Sequence, residues 1–259
     1  MGRLRLDHLL TERGLASSLA EAQSMIHAGD VELGGVRRLK PGQLVDADAS
    51  VSLVPKKRWA SRAGAKLEAA LEAFAIDVSG TAALDAGAST GGFTDVLLAR
   101  GARVVYAVDV GRAQLIDRLR RDPRVVSMER TNLRELGALP EPIDMATLDL
   151  SFIGLGLVLP AVRALLVDDG RAVALVKPQF EAEREDVPRG GVVRDPATWH
   201  RVLHAVASAG ESVGLHPWNV IRSPITGGDG NVEFLVELRT RDRGDAAWRA
   251  RVDAVVEAT

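Results

Sequence analysis

The chain has 259 residues, of which 46% are hydrophobic and 26% are charged, and its formal net charge is -2. This composition is that of an ordinary globular protein, and the near-neutral charge excludes a uniformly basic nucleic-acid binder. Cysteine is absent, which excludes disulfides and thiolate metal sites. The opening segment MGRLRLDHLLTERG lacks the apolar core of a signal peptide, and no apolar run approaches the ~20 residues of a membrane span, so we expect a cytoplasmic protein.

Residues 1–55 are predicted to form a small separate domain. LRLDHLLTERGL and SSLAEAQSMIHAG have helical spacing of apolar residues, with Gly14 and Gly29 as helix ends and Ser17 or Ser18 as a cap. The pair Gly34-Gly35 between alternating segments predicts a hairpin. Two short helices followed by a small hairpin sheet form a unit that is marginally stable alone.

This first domain resembles the S4-type RNA-binding domain, which is named after a ribosomal protein. The resemblance rests on the Arg5-Leu6-Asp7 opening and on the run AQSMIHAGDVELGG. Leu19 and His27 stand where that family commonly has Arg, which implies weaker RNA affinity than usual. Arg3 and Arg5 are assigned to RNA, and a protein-docking domain of the same shape is the alternative.

A basic linker is predicted over residues 56–62. The linker and the residues just after it hold five cations with no acid among them: Lys56, Lys57, Arg58, Arg62 and Lys66. Such a cluster can bind phosphate or can be a solvated face. The first four are assigned to RNA.

Residues 63–259 alternate between strand and helix patterns after an amphipathic helix, KLEAALEAF. We therefore predict an α/β fold with a mostly parallel sheet covered on both faces. The last two strands are joined by SPITGGDGN, which is too short for a crossover helix, so that pair should be antiparallel. Predicted strands are 82–87, 103–109, 125–130, 143–150, 171–176, 218–224 and 231–239. Predicted helices are 92–100, 112–121, 154–167, 195–210 and 243–257.

A glycine-rich turn between the first strand and helix of this domain predicts a nucleoside site. The segment ALDAGASTGGFTD departs from the G-x-G-x-x-G spacing of dinucleotide sites and begins with Asp85, which would repel a diphosphate but attract an ammonium. Asp109, at the end of the next strand, can accept hydrogen bonds from ribose hydroxyls. These features favour S-adenosylmethionine over NAD. The assigned cofactor residues are Asp85, Gly87, Ala88, Ser89, Thr90, Gly91, Gly92, Phe93, Asp109 and Asn132.

Charged residues also follow or precede apolar strands at three other places, and a fourth candidate, Lys66, lies at the start of the predicted helix before them. Asp149 ends IDMATLDL, Lys177 ends RAVALVK, Glu233 opens the last strand, and Lys66 lies in SRAGAKLEAAL. Isolated buried charges are costly, so these residues are either two structural ion pairs or the polar groups of an active site.

In order and context these four residues resemble the K-D-K-E tetrad of the FtsJ-like 2′-O-ribose methyltransferases. With SRAGAKL, DAGASTGGFTD, LDLSFI, VKPQFE and GNVEFL, the whole chain resembles the TlyA family, which is described both as hemolysin and as rRNA (cytidine-2′-O)-methyltransferase. The resemblance implies a Rossmann-like class I methyltransferase domain that methylates cytidine ribose in small- and large-subunit ribosomal RNA, with S-adenosylmethionine as donor. It also implies that the basic linker couples RNA binding to cofactor binding.

Lys177 is predicted to act on the ribose 2′-hydroxyl, either as a base or as a stabiliser of the developing alkoxide. Asp149 would orient it, and Lys66 and Glu233 would complete the charge arrangement. Phe152 is interpreted as a core residue in preference to a stacking platform for the target base.

Other signals are weaker. His200 and His204 lie one helical turn apart but lack a third ligand, so no metal is expected. EAEREDVPRGGVVRD is either a mobile loop whose Arg189 touches phosphate or a plain solvated loop. The alternative functions are a noncatalytic RNA-binding protein, a membrane-active hemolysin and an NAD-dependent oxidoreductase.

Overall fold

The computed structural model describes residues 2–36, 38–53, 58–241 and 247–258. The chain divides into two compact units, Met1–Arg58 and Trp59–Thr259. Lys56 and Lys57 of the predicted linker lie outside the described residues.

The first unit is built from two short helices and four short strands within its described part. In chain order these are β1 (Arg3–Arg5), α1 (Leu6–Glu12), α2 (Leu19–Ala28), β2 (Val31–Leu33), β3 (Leu44–Asp46) and β4 (Val51–Leu53). The predicted cap of α2 is confirmed, because the Ser18 hydroxyl accepts a hydrogen bond from the Glu21 amide at 3.2 Å. Gly29 ends the same helix in the left-handed conformation, with φ 76°.

The predicted hairpin at Gly34-Gly35 is only partly correct. The turn is closed by a single bridge between Leu33 and Val36, and β2 then pairs with β4 in an antiparallel register. β1 pairs in the same way with β3. Val31 of β2 is fully buried in the core with α1 and α2. The partner of β2 is therefore β4, a strand distant in sequence that packs on the same core.

The second unit is an α/β domain. Its elements are α3 (Ala63–Ala73), β5 (Ala82–Ala86), α4 (Gly92–Ala99), β6 (Val104–Asp109), α5 (Asp117–Arg120), β7 (Val125–Glu129), β8 (Ile143–Leu148), α6 (Leu159–Leu165), β9 (Leu166–Val176), α7 (Pro178–Glu181), α8 (Pro196–Glu211), β10 (His216–Arg222), β11 (Phe234–Arg239) and α9 (Trp248–Glu257). Short 3-10 turns cover Leu133–Glu135, Leu155–Leu157 and Arg184–Asp186.

The described strands of this unit form one sheet of seven, in the order β10-β11-β9-β8-β5-β6-β7. Strands β5 to β9 are parallel, while β11 is antiparallel to both β9 and β10. The predicted fold class and the antiparallel last pair are therefore confirmed. The chain passes from β5 to β6 and β7 on one side, and then continues with β8 on the other side of β5. Where the strand order reverses in this way, a crevice opens at the carboxyl ends of β5 and β8.

Both faces of the sheet are covered, as the continuous apolar strands predicted. Along β9, Ala172, Ala174 and Val176 face one apolar cluster, and Val173 and Leu175 face the other. The first cluster contains residues of α6, α8 and α9, and the second contains residues of α3 and α4. A sheet buried on both sides is a rigid support for groups placed at its edge.

Two predicted helices differ from the structure. The helix predicted over 112–121 is reduced to Asp117–Arg120, because the Glu129 carboxylate accepts the backbone amides of Ala113 and Gln114 at 2.6 and 2.9 Å and holds that segment as a loop. The helix predicted over 154–167 ends at Leu165, and β9 begins at once, five residues earlier than the predicted 171.

Candidate active site

The carboxyl ends of β5, β6, β8 and β9 carry the polar side chains that the sequence singled out. β11 runs antiparallel to β9, so its first residues lie at the same edge. Phe234 of β11 pairs with Val176 of β9, and Glu233 and Lys177 are the next residues beyond that pair. The sheet order therefore gathers charges from distant parts of the sequence at one edge.

Lys66 and Glu233 form a buried ion pair. Lys66 is on α3, its Nζ contacts the Glu233 Oε2, and the two residues are 8% and 3% exposed. The carboxylate of Glu233 is closely covered on its other side, because a Cβ added to Gly227 would lie 2.7 Å from its Oε1. Mutual neutralisation makes the burial of both charges possible.

Lys177 and Asp149 form the second pair. The Lys177 Nζ lies 2.7 Å from Asp149 Oδ1 and donates a hydrogen bond to the Ser151 hydroxyl at 3.1 Å. Lys177 is buried, while 19% of the Asp149 side chain is exposed. Pro178 follows at the first position of α7 and fixes the backbone just after the lysine.

The glycine turn lies directly beside this second pair. Gly87 has φ 83°, and a Cβ added there would lie 2.5 Å from the Asp149 carbonyl oxygen. The Asp149 amide in turn donates to the Ala86 carbonyl at 2.9 Å. Only glycine permits this approach, so the turn after β5 and the tip of β8 are locked together.

A cleft of about 530 Å³ opens between these tips and the end of β6. It is lined on one side by Gly87, Ser89 and Asp109 and on the other by Asp149 and the residues that follow it. Its volume is within the range of small-molecule sites.

Asp109 organises the cleft wall through its carboxylate. Its two oxygens accept the backbone amides of Ser89 at 2.8 Å and Gly111 at 2.6 Å. Both oxygens keep a lone pair for ribose hydroxyls, which is the role predicted for this residue. Asn132 also lines the cleft, and its side chain caps the following 3-10 turn.

Six of the ten predicted cofactor residues do not line the cleft, and three of these six lie beneath the turn. Asp85 is fully buried, and its carboxylate accepts hydrogen bonds from the hydroxyls of Thr94 at 2.6 Å and Thr147 at 3.2 Å. Burial raises the pKa of Asp85 to about 6, although these hydrogen bonds oppose the shift. Ala88 and Phe93 are buried in the apolar cluster on the α4 face.

The remaining turn residues support the loop by packing. A Cβ on Gly91 would collide with Leu119 and Leu115, and one on Gly92 would collide with Ser61. The Thr90 carbonyl accepts the amide of Ile116 at 3.4 Å. These contacts seat the turn against α5 and against the start of α3.

The interpretation of Phe152 as a core residue is wrong. Phe152 is 90% exposed at the cleft, has φ 63°, and contacts the ring of Phe180 with centroids 4.9 Å apart. The apolar string LDLSFIG did not indicate where the buried strand β8 ends and the exposed loop begins. An aromatic ring held outside the core at the mouth of a cleft is available for stacking.

Three polar residues of the site were missed by sequence reasoning. The Glu129 carboxylate holds the loop of residues 113–115. Glu129 ends β7 as Asp109 ends β6, so the reasoning applied to Asp109 would have identified it. Asn231 is buried and bridges the Gly191 carbonyl and the Val193 amide, each at 2.9 Å. Glu181 accepts the Leu155 amide at 2.9 Å. No spacing in the sequence identifies the last two.

The described cations assigned to RNA differ in their surroundings. In the first unit Arg3 is exposed, whereas the Nε and Nη2 of the Arg5 guanidinium donate to the buried carboxylate of Asp7, at 3.0 and 2.6 Å. Arg58, Arg62 and Arg189 are exposed. The segment that carries Arg189 is tied down by Asn231, so it is more than a plain solvated loop.

The arrangement of strands and the position of the cleft define a Rossmann-like methyltransferase fold. The model of the FtsJ-like methyltransferases matches residues 59–240, and the model of the S4 domain matches residues 4–51. The chain is 46% identical to "16S/23S rRNA (cytidine-2'-O)-methyltransferase TlyA" of Mycobacterium tuberculosis, over 98% of this chain and 96% of that protein. It is 47% identical to "Putative rRNA methyltransferase YqxC" of Bacillus subtilis, over 93% and 87%.

A solved structure agrees with these sequence matches. The protein named "Putative hemolysin from Streptococcus thermophilus" has a TM-score of 0.75 and 40% identity, covering 99% of this chain and 97% of that one. The chain belongs to the TlyA family of FtsJ-like methyltransferases, with an S4 domain at its N-terminal end. Among the described residues, no helix has the length and apolar character needed to cross a membrane.

Proposed function

We propose that this protein is an S-adenosylmethionine-dependent methyltransferase that acts on the 2′-hydroxyl of cytidine in ribosomal RNA. One observation carries the proposal: the Lys177–Asp149 ion pair stands at the wall of a nucleoside-sized cleft, with the buried Lys66–Glu233 pair beside it. The relative from Mycobacterium tuberculosis is named as a 16S/23S rRNA (cytidine-2'-O)-methyltransferase, and this substrate would place the activity in the cytoplasm.

The residues of the cleft fit S-adenosylmethionine. Asp109 offers carboxylate oxygens to ribose hydroxyls, and Asp149 places a negative charge near the position of a sulfonium. Asp85 contributes a further acidic group beneath the turn, which favours an ammonium over a diphosphate. When bound, the cofactor supplies an electrophilic methyl group.

Lys177 is the group that this geometry directs at the reacting hydroxyl. Held by Asp149 and Ser151, its Nζ can donate to the ribose 2′-oxygen as negative charge develops there. The close ion pair favours this electrostatic role over proton abstraction, the other role that the sequence leaves open. Methyl transfer would break the methyl–sulfur bond of the donor as the carbon–oxygen bond forms, leaving a neutral thioether, and the proton of the hydroxyl would pass to solvent.

Lys66 and Glu233 are proposed to hold the edge of the site in place. They neutralise each other inside the protein, so the edge beside Lys177 is rigid without adding net charge. Preorganised polar groups in a water-poor site act more strongly on developing charge than the same groups in water.

Phe152 is proposed to receive the target base. Its ring is exposed at the cleft and supported from one side by Phe180, so a cytosine turned out of the RNA stack can pack on it. RNA affinity would come from the S4 domain and from the exposed cations of the chain, because phosphate contacts dominate such binding.

The proposal is tested by methyl transfer from radiolabelled S-adenosylmethionine to unmodified ribosomal subunits, with the modified nucleotide mapped. We expect transfer by the wild type and a loss of at least about 10²-fold in kcat for Lys177→Ala, which removes the donor at the reacting oxygen. Cofactor affinity measured by calorimetry should stay close to that of the wild type. The exposed Glu183→Ala serves as control. Wild-type turnover by Lys177→Ala would remove this lysine from the mechanism, and no transfer by the wild type would refute the function.

A further inference from the structure

The loop that follows β8 and the short helix α7 are joined by contacts along their whole length. We call residues 149–155 the tip loop. At one end Lys177 binds Asp149 and Ser151, and in the middle Phe180 packs on Phe152. The Lys177 Nζ also lies 5.8 Å from the centre of the Phe180 ring. The far end of this pairing is closed by a residue that the proposed chemistry does not use, Glu181.

Glu181 holds the tip loop through its backbone. Its two carboxylate oxygens lie 2.9 and 3.2 Å from the Leu155 amide, which donates to them. This amide begins the 3-10 turn Leu155–Leu157, so the carboxylate caps the turn. Burial raises the pKa of Glu181 to about 7, although the hydrogen bond from the Leu155 amide opposes the shift.

The tip loop needs such an anchor because its conformation is strained. Phe152 adopts a left-handed φ of 63°, a costly conformation for a residue with a side chain, and its ring is exposed instead of buried. The Phe152 ring is therefore not fixed by burial in the core and packs on Phe180 instead. Leu150 and Ile153 pack against the core on either side of it, and the polar contacts of Lys177 and Glu181 hold the two ends of the loop.

We propose that Glu181 is a positioning residue, which sets the place of Phe152 relative to Lys177 by anchoring the tip loop to α7. Glu181 touches neither substrate nor cofactor in this assignment. It acts by keeping the stacking ring and the reacting ammonium at a constant separation, which in-line transfer requires. This inference rests on the proposed function, because it assumes that a base stacks on Phe152 while its ribose faces Lys177.

The kinetic consequence is specific. Glu181→Ala should lower kcat by roughly 10- to 100-fold, because small misplacements of reacting groups cost rate. KM for the ribosomal subunit should change much less, since phosphate contacts elsewhere determine RNA affinity. Glu181→Gln retains an oxygen that can accept the Leu155 amide and should stay close to the wild type. Glu181→Asp, one methylene shorter, should behave like Glu181→Ala.

A double-mutant cycle with Phe152→Ala separates positioning from general stability. If Glu181 acts through the tip loop, Glu181→Ala should cost far less kcat in the Phe152→Ala background than alone. Thermal unfolding of each variant and cofactor affinity by calorimetry are measured alongside, with the exposed Glu183→Ala as the matched control.

Each outcome decides the question. Independent effects of Glu181→Ala and Phe152→Ala on kcat, or a Glu181→Gln variant as slow as Glu181→Ala, would overturn the positioning role. If Glu181→Ala fails to fold, Glu181→Gln is compared with Glu181→Asp instead. A Gln variant as slow as the Asp variant would then overturn the positioning role. An active wild type with an unaffected Glu181→Ala contradicts only this inference, whereas an inactive wild type overturns the proposed function and the inference together.

Discussion

Lys66 and Glu233 form a buried ion pair although 167 sequence positions separate them. The strand order makes this contact possible, because β10 brings the chain back to the edge at which β8 and β9 end, and Glu233 lies there directly before the antiparallel β11. The pair thus joins the first helix of the second unit to the last strand of its sheet. A contact of such long range ties the integrity of the site to the complete fold.

Removing one partner of this pair should destabilise the protein more than removing both. Lys66→Met leaves the Glu233 carboxylate buried without a cation, which should cost about 3–5 kcal/mol of the free energy of unfolding. The double variant Lys66→Met/Glu233→Gln should recover much of that loss. Urea denaturation of Lys66→Met, Glu233→Gln and the double variant measures the difference.

An exposed ion pair provides the control for that series. Arg120 and Asp117 pair on α5 with side chains 45% and 68% exposed, so Asp117→Asn should cost at most about 1 kcal/mol. Strictly additive losses from Lys66→Met and Glu233→Gln would contradict the coupling between these two residues.

Gly87 should tolerate no side chain, for a reason beyond its backbone conformation. Gly87 and Gly80 both have positive φ, 83° and 72°, but a Cβ at Gly87 meets the Asp149 carbonyl at 2.5 Å, while one at Gly80 meets nothing within 4 Å. Gly80→Ala should therefore show only a strain of about 1–2 kcal/mol. Gly87→Ala should in addition displace Asp149 and lower both kcat and cofactor affinity.

Thermal unfolding, calorimetric titration with S-adenosylmethionine and the methyl-transfer assay distinguish these two alanine variants. If Gly87→Ala loses stability but keeps full activity, the contact between the turn and Asp149 has no role in the site.

The parts of the fold that follow from local chemistry were predictable. Continuous apolar strands alternating with helices predicted the sheet, and the short link before β11 predicted its direction. A charged residue directly after an apolar strand predicted the placement of Asp149 and Lys177, because parallel strands end at one edge. The meeting of Lys66 with Glu233 came from the family resemblance, since no local pattern links two residues so far apart.

What the sequence could not predict depends on single contacts between distant segments. The loop before α5 has helical composition, but its backbone amides donate to the Glu129 carboxylate and do not form helical hydrogen bonds. Phe152 has the apolar character of a core residue, but its backbone is left-handed and lies in a loop that Glu181 holds through the Leu155 amide, outside the core. Glu181 itself was part of a matching string, without any pattern that assigned it a partner.

The ionised carboxylate of Asp85 should lower the free energy of unfolding of the protein while it supports cofactor binding. Its pKa in the folded chain is about 6, above the usual 3.8, so between these values the folded chain binds more protons than the unfolded chain. The free energy of unfolding should therefore fall as pH rises from about 4 through 6. Asp85→Asn, which cannot ionise, should be more stable than the wild type by up to about 3 kcal/mol at pH 8 and show little difference near pH 4.

The same variant should bind S-adenosylmethionine more weakly, because it lacks the charge that attracts the ammonium. Urea denaturation across pH and calorimetric titration at pH 8 measure the two effects, with Asp117→Asn as the exposed control. Unchanged cofactor affinity in Asp85→Asn would mean that this buried carboxylate serves only the turn, through Thr94 and Thr147.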